Sequence, residues 1–187
     1  AVVIGAGFIG LEMAESLVQR GIEVTIVEKA PHVLPHFDEE MAAYVTKELA
    51  ANGVRLYTGL AAESFEEKGK IVVLENGERL ESDITLMSVG VKPETTVALT
   101  ADVETGLHGG IVVNDQYETS QKDIYAVGDA IVVKQQINGK DTMIALASPA
   151  NRQGRQVADV ISGLERKNKG SIGTAIVRVF KMAAAST

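Results

Sequence analysis

The sequence predicts an α/β fold in which a doubly wound parallel sheet carries an inserted antiparallel meander. Three observations predict it. Short apolar runs such as Val2-Val3-Ile4 are what strands buried on both faces look like. They alternate with amphipathic stretches of helical length, the order of a parallel sheet with crossover helices. Between residues 62 and 81 the period changes: the turn pairs Lys68-Gly69 and Asn76-Gly77 enclose Ile71-Val72-Val73-Leu74, a hairpin pattern.

Residues 2 to 28 organise the rest. Val2 to Ile4 form a strand and Gly5-Ala6-Gly7-Phe8-Ile9-Gly10 a turn. A helical run reaches Arg20, Gly21 stops it in the left-handed conformation, and Glu23 to Glu28 form the second strand. Ile9, Met13 and Leu17, with Ala14 and Val18, make the apolar face of the helix. Gly5 permits the tight turn, Gly7 lacks a side chain that would hold a pyrophosphate off the backbone, and Gly10 lets helix and sheet approach. The first N–H groups of a helix are unpaired and lie at the positive end of its dipole, so a phosphate is favoured there. The cofactor-binding set drawn from this turn is Gly5, Gly7, Phe8, Ile9 and Gly10. Glu28 lies 18 residues past Gly10, near the ~20 that brings a carboxylate to a ribose 2′-hydroxyl. A carboxylate repels a 2′-phosphate, so Glu28 points to NAD(H); the neighbouring Lys29 keeps NADP(H) open. An ordinary βαβ unit would share the glycines, but not the whole context of strand, helix, strand and acid.

The chain continues with a proline-punctuated loop, Ala30 to Pro35. Asp38 suits the N-cap of a second helix with Met41, Tyr44, Val45 and Leu49 as its apolar face, ending at Asn52-Gly53. Val54 to Tyr57 read as a third parallel strand, and Asp83 to Val89 as a buried strand returning to the sheet. Gly90 ends that strand, where a nicotinamide would sit. Composition shifts at Lys92-Pro93. Strands are expected at Ile111–Val113 and Ile124–Val127, the latter closing in Gly128-Asp129, and a short hairpin or excursion across Ile131–Ile144. A helix follows from about Ala150 to Gly163, with Pro149 in its first turn. Ile176–Phe180 alternates as a strand with no later partner.

With 187 residues the chain fits one or two small domains, and 45% apolar residues suffice for a core. A net charge of −7 without basic clusters argues against nucleic acid as a partner. No apolar run is long enough for a bilayer and no signal peptide is visible, so a cytoplasmic location is expected. Opening directly on a strand suggests a fragment. There is no cysteine, so neither disulfides nor thiol chemistry is expected within it. His32 and His36 lie in the proline loop without cysteine partners, and no metal site is expected there.

Three separated motifs, in order and spacing, resemble the flavin-dependent pyridine nucleotide–disulfide oxidoreductases. Gly5 to Glu12 is similar to that family's second nucleotide motif. Gly90-Val91-Lys92-Pro93-Glu94-Thr95 is similar to its G-V-[RK]-P-x-T junction, and Thr119 to Asp129 to its second FAD motif. Ala147 to Arg155 is similar to the branch of CoA-disulfide reductases, NADH oxidases and NADH peroxidases, and most like its CoA-disulfide reductase and persulfide reductase end. The resemblance implies NAD(H) or NADP(H) as donor, FAD as carrier and a small disulfide or related sulfur compound, CoA disulfide foremost, as acceptor. It implies Glu12 near the nicotinamide–flavin junction, Gly128 and Asp129 at the FAD ribityl chain, Pro149 and Ala150 facing the isoalloxazine, and a homodimeric parent. The family's first FAD motif and its catalytic cysteine have no counterpart here, so no catalytic residue is assigned and the chain alone is expected to be inactive. The implied domains are 1–98 for NAD(P)H, 99–170 for the later part of the FAD domain, and 171–187 for the start of an interface domain. Two rivals remain: a non-enzymatic NADH-sensing module, which has no need of the motif at 119–129, and a flavin-free dehydrogenase, for which His108 is the available acid–base group.

Overall fold

The computed structural model describes residues 1–187, in two compact units: Ala1–Gly90 with Ile176–Ser186, and Val91–Ala175 with Thr187. The first unit holds β1 (Val2–Ile4), α1 (Phe8–Val18), β2 (Thr25–Glu28), α2 (Glu39–Ala51), β3 (Arg55–Thr58), β4 (Ala62–Glu66), β5 (Ile71–Leu74), β6 (Arg79–Glu81) and β7 (Thr85–Met87). Next come α3 (Thr96–Thr100), β8 (Val133–Lys134), β9 (Asp141–Thr142) and α4 (Ala147–Ile161), then β10 (Ala175–Val179) and β11 (Met182–Ser186).

The parallel sheet has the order β3-β2-β1-β7, with Val3 opposite Ile26 on one side and Leu86 on the other. Strand alternation divides its side chains between two faces. Val3 and Ile26 join Leu11, Ala14, Ala42, Val45 and Leu49 in the core beneath α1 and α2. Val2, Ile4 and Val27 join Val72, Leu74 and Leu80 on the opposite face. The antiparallel meander β4-β5-β6 therefore covers the second face, as the change of period predicts. β7 is an edge strand, and Met87 and Val89 are exposed rather than buried as expected.

The helices bury part of each predicted stripe, Ala14 and Leu17 in α1 and Val45 and Leu49 in α2, but not the whole of it. α1 buries Gly10, Leu11, Ala14 and Leu17, while Ile9 is 55% exposed. α2 buries Ala42, Val45 and Leu49 and exposes Met41 and Tyr44. Both helices are apolar over more than one stripe, so the sheet's position selects the face. Asp38 occupies the N-cap of α2 with extended dihedrals; its carbonyl accepts from Met41 and Ala42, and its side chain makes no capping bond.

Ile176–Phe180 does find a partner: β10 pairs with β11. The hairpin belongs to the first unit, where Val177, Val179 and Phe180 are buried in the core of α1 and α2. Phe180 takes a left-handed φ of +53° at the turn, uncommon for a bulky residue. Its N–H donates to Glu15 Oε2 at 2.7 Å and its carbonyl accepts from Arg178 Nε at 2.9 Å. The next amide, Lys181, donates to Glu48 Oε1 at 3.2 Å. Carboxylates on α1 and α2 thus hold the turn.

The second unit packs around Val103, Ile111, Tyr117, Ile131 and Val133. The strands expected at 111–113 and 124–127 are reduced to isolated bridges, Ile111 to Thr105 and Ile131, and Tyr125 to Glu118. No strand of this unit runs alongside them to complete a ladder. The hairpin expected over 131–144 forms as the antiparallel pair β8-β9.

Candidate functional site

The glycine turn Gly5–Gly10 lies beyond the carboxyl end of β1, between the ends of β2 and β7. Strand order reverses there, and such switch points are where α/β sheets bind ligands. Gly5 has φ +100°, and a Cβ on it would lie 2.5 Å from the Ser88 carbonyl oxygen. A Cβ on Gly10 would lie 2.0 Å from the Gly5 carbonyl oxygen. These two glycines are required by the protein's own packing. Gly7 differs: a Cβ there would meet nothing within 4 Å, which leaves open space over the start of α1. The N–H groups of Gly7, Phe8, Ile9 and Gly10 have no acceptor within the protein, and the first intrahelical bond runs from Leu11 to the Gly7 carbonyl at 3.1 Å. Bare amides beside open space suit the oxygens of a pyrophosphate. Phe8 is held by an edge-to-face contact with Phe37, centroids 6.1 Å apart.

Glu28 ends β2 with its carboxylate aimed at this turn. Oε2 accepts from Ala6 N–H at 2.6 Å and Oε1 from Ala30 N–H at 2.7 Å. The residue is 9% exposed, and its role inside the protein is one that spacing alone does not reveal. Lys29 beside it is exposed, as is Glu12 on α1. Gly90, three residues past β7, has φ +105° and open space around it.

Three contacts on the turn escape sequence reading. Gly5 N–H donates to the Val27 carbonyl at 2.8 Å, and Leu34 N–H to the Ala6 carbonyl at 2.9 Å. Ser88 Oγ lies 2.8 Å from the Ile4 carbonyl and 3.0 Å from that of Gly5. A serine after an apolar strand carries no distinguishing signal.

In the second unit, Gly128 has φ +85° and lies against Ala150 of α4, its would-be Cβ 3.9 Å from the Ala150 Cβ. Gly128 N–H donates to Oε1 of the buried Gln153 at 2.7 Å. Asp129 is exposed beside it in a 3-10 turn. α4 begins at Ala147, three residues earlier than expected, so Ala150 N–H is already bonded to the Leu146 carbonyl at 3.2 Å. Pro149 has no N–H, and the free donors of this terminus are Ala147 and Ser148. Tyr117 is buried and donates to Gln156; burial raises its hydroxyl's pKa, with the nearby Arg152 acting the other way. His32 Nδ1 lies 2.8 Å from the Val33 carbonyl, and His108 sits in an exposed turn with φ +51°. No group of three or more His, Cys, Asp or Glu is placed to hold a metal. No helix is long and apolar enough to cross a membrane.

Sheet, switch-point turn and terminal acid define a dinucleotide-binding α/β protein. The family model for pyridine nucleotide-disulphide oxidoreductase matches residues 1–154, and the chain belongs to that family. It is 37% identical over 179 residues to an NADH oxidase of Methanocaldococcus jannaschii, a match covering 95% of this chain and 40% of the relative. Among solved structures it is similar to reduced CoADR-RHD of Bacillus anthracis, with 45% identity and a TM-score of 0.96, covering 98% of this chain and 33% of that one. It is also similar to an NAD-dependent persulfide reductase from A. fulgidus, with 37% identity and a TM-score of 0.95, covering 98% and 35%. An FAD-dependent member and an NADH-bound oxidase also share the fold. The chain spans about two fifths of the length of the curated relatives it matches.

Proposed function

We propose that residues 1–187 are the pyridine-nucleotide part, with a portion of the FAD domain, of a flavoprotein that passes hydride from NAD(P)H through FAD to a disulfide or persulfide acceptor, CoA disulfide foremost. The observation that carries the reading is the row of unpartnered amides from Gly7 to Gly10 under the open space above Gly7. Those amides bind the pyrophosphate, Glu28 accepts from the adenosine ribose, and Gly90 leaves room for the nicotinamide. In the second unit Gly128 and Asp129 meet the flavin's ribityl chain, and the free amides of Ala147 and Ser148 face its ring. When bound, nicotinamide and flavin supply the redox chemistry; the protein supplies position and field. The chain has no cysteine, so a thiol step draws on a residue outside it, and residues 1–187 alone do not turn over. Glu28 favours NADH over NADPH. A homodimer in the cytoplasm goes with this reading.

The test has two parts. Calorimetric titration of the chain with NADH is expected to saturate; no heat at millimolar NADH removes the dinucleotide assignment. The full-length protein is expected to carry flavin absorbance, and a colourless protein removes the flavoenzyme reading. A second reading, with oxygen or peroxide as acceptor, is favoured by the likeness to the NADH oxidase; consumption of oxygen without a sulfur acceptor distinguishes it.

A further inference from the structure

The Gly5–Ala6 peptide is gripped at both ends. Its carbonyl, on Gly5, accepts from Ser88 Oγ at 3.0 Å, and its N–H, on Ala6, donates to Glu28 Oε2 at 2.6 Å. Ser88 stands just past β7 and Glu28 at the end of β2, the two strands that flank β1. The following peptide is held as well, since the Ala6 carbonyl accepts from Leu34 N–H at 2.9 Å. A trans peptide is planar and its C=O and N–H point in opposite directions. With the Ala6 carbonyl tied to Leu34, the N–H of Gly7 is turned the other way and stays free.

Glycine at position 5, with φ +100°, brings no side chain to fix its own peptide. Left alone, such a peptide can flip and present its oxygen where an anion is to bind. The Ser88 hydroxyl opposes this from the carbonyl end, as Glu28 does from the N–H end: its single proton is shared between the Ile4 and Gly5 carbonyls, 2.8 and 3.0 Å away. A Cβ on Gly10 would come within 2.8 Å of the same Oγ, so Ser88 also touches the point where α1 meets the sheet.

We propose that Ser88 is a positioning residue for the dinucleotide phosphates, holding the Gly5 carbonyl oxygen out of the space that the free Gly7, Phe8 and Ile9 amides offer them. This rests on the dinucleotide reading of the turn. Ser88 does not touch the ligand; it acts by preorganising the backbone that does.

The experiment titrates the full chain with ADP-ribose, which carries the pyrophosphate and is inert to redox chemistry, and separately with adenosine, which carries none. In Ser88→Ala, ADP-ribose affinity is expected to fall about five- to tenfold, the scale of one lost hydrogen bond, with adenosine affinity unchanged. Ser88→Thr restores the hydroxyl and is expected to restore most of the affinity. Equal ADP-ribose affinity in Ser88→Ala and the parent chain overturns the proposal. So does an equal loss for both ligands, or a loss in Ser88→Thr as large as in Ser88→Ala. If the unsubstituted chain binds neither ligand, the dinucleotide reading itself has failed, which is a separate result.

Discussion

Replacing Gly7 and Gly10 by alanine, one at a time, separates binding from folding within a single turn. At Gly10 the added Cβ would lie 2.0 Å from the Gly5 carbonyl oxygen and 2.8 Å from Ser88 Oγ. The first of these is backbone, so relief requires α1 to shift against β1. Overpacking of this kind costs ~1–3 kcal/mol, offset by ~1 kcal/mol from alanine's better helix propensity. The contact is severe, and a net loss of about 1–2 kcal/mol of stability is expected. At Gly7 the Cβ meets nothing within 4 Å and φ is already −76°. Alanine gains ~0.4–1 kcal/mol by restricting the unfolded chain and loses a similar amount as a poorer N-cap. Stability should therefore stay within about 0.5 kcal/mol of the parent. The methyl group nevertheless stands among the free amides, and the loss of one charge-assisted bond, ~1.5–3 kcal/mol, weakens binding about ten- to a hundredfold. Urea unfolding and NADH titration of both variants measure the two quantities independently. Unaltered NADH affinity in Gly7→Ala, or unaltered stability in Gly10→Ala, would refute the division of roles.

Three further outcomes are expected. Glu28→Gln keeps the shape but turns an NH2 toward Ala6 or Ala30 N–H, leaving a buried donor unpaired at a cost of ~1–3 kcal/mol; urea unfolding within 0.5 kcal/mol of the parent (~a third of a decade in the folding constant) would contradict it. The Tyr117 hydroxyl, with its pKa raised by burial, favours the fold fully below the unfolded tyrosine pKa of about 10 and loses that contribution as pH rises through the higher folded value; Tyr117→Phe should remove a late phase of the alkaline absorbance titration, and an unchanged titration would count against it. Phe180→Ala should destabilise the chain by about 3 kcal/mol, because that ring is buried in the core of α1 and α2; a thermal midpoint equal to the parent's would show that the β10-β11 hairpin is dispensable there.

What was legible in the sequence is what local chemistry decides. The glycine turn, the strand before it and the meander each announce themselves within a few residues, through φ requirements, apolar runs and turn pairs. The helix faces were legible only in part: Ala14, Leu17, Val45 and Leu49 are buried as their spacing predicts. In α1 the choice between Ile9 and Leu11 at the edge of that face is made by the neighbouring sheet, since both are equally apolar. β11 was missed because Ala183-Ala184-Ala185 has little intrinsic strand preference; pairing with β10 overrides it. The grip on the turn was the least visible part. Ser88, Leu34 and Glu28 lie 83, 28 and 22 residues from the atoms they hold, and no periodicity connects them.

If Glu28 meets the adenosine ribose as proposed, coenzyme preference and turn geometry are one problem. An ionised carboxylate has two oxygens with roughly four acceptor positions between them. Ala6 and Ala30 use one on each oxygen, which leaves capacity for a ribose hydroxyl without disturbing the turn. A 2′-phosphate brings negative charge and no proton to donate at neutral pH, so it meets repulsion from a group that is mostly buried and fixed by two amides. Removing that group to admit the phosphate also frees the Ala6 N–H, and with it one end of the Gly5–Ala6 peptide. On the proposed reading, a variant that prefers NADPH needs two changes, a cation where the carboxylate stood and a new acceptor for Ala6. A single substitution at Glu28 should weaken binding of both coenzymes before it reverses the preference between them, and comparative titrations with NADH and NADPH would expose the opposite order.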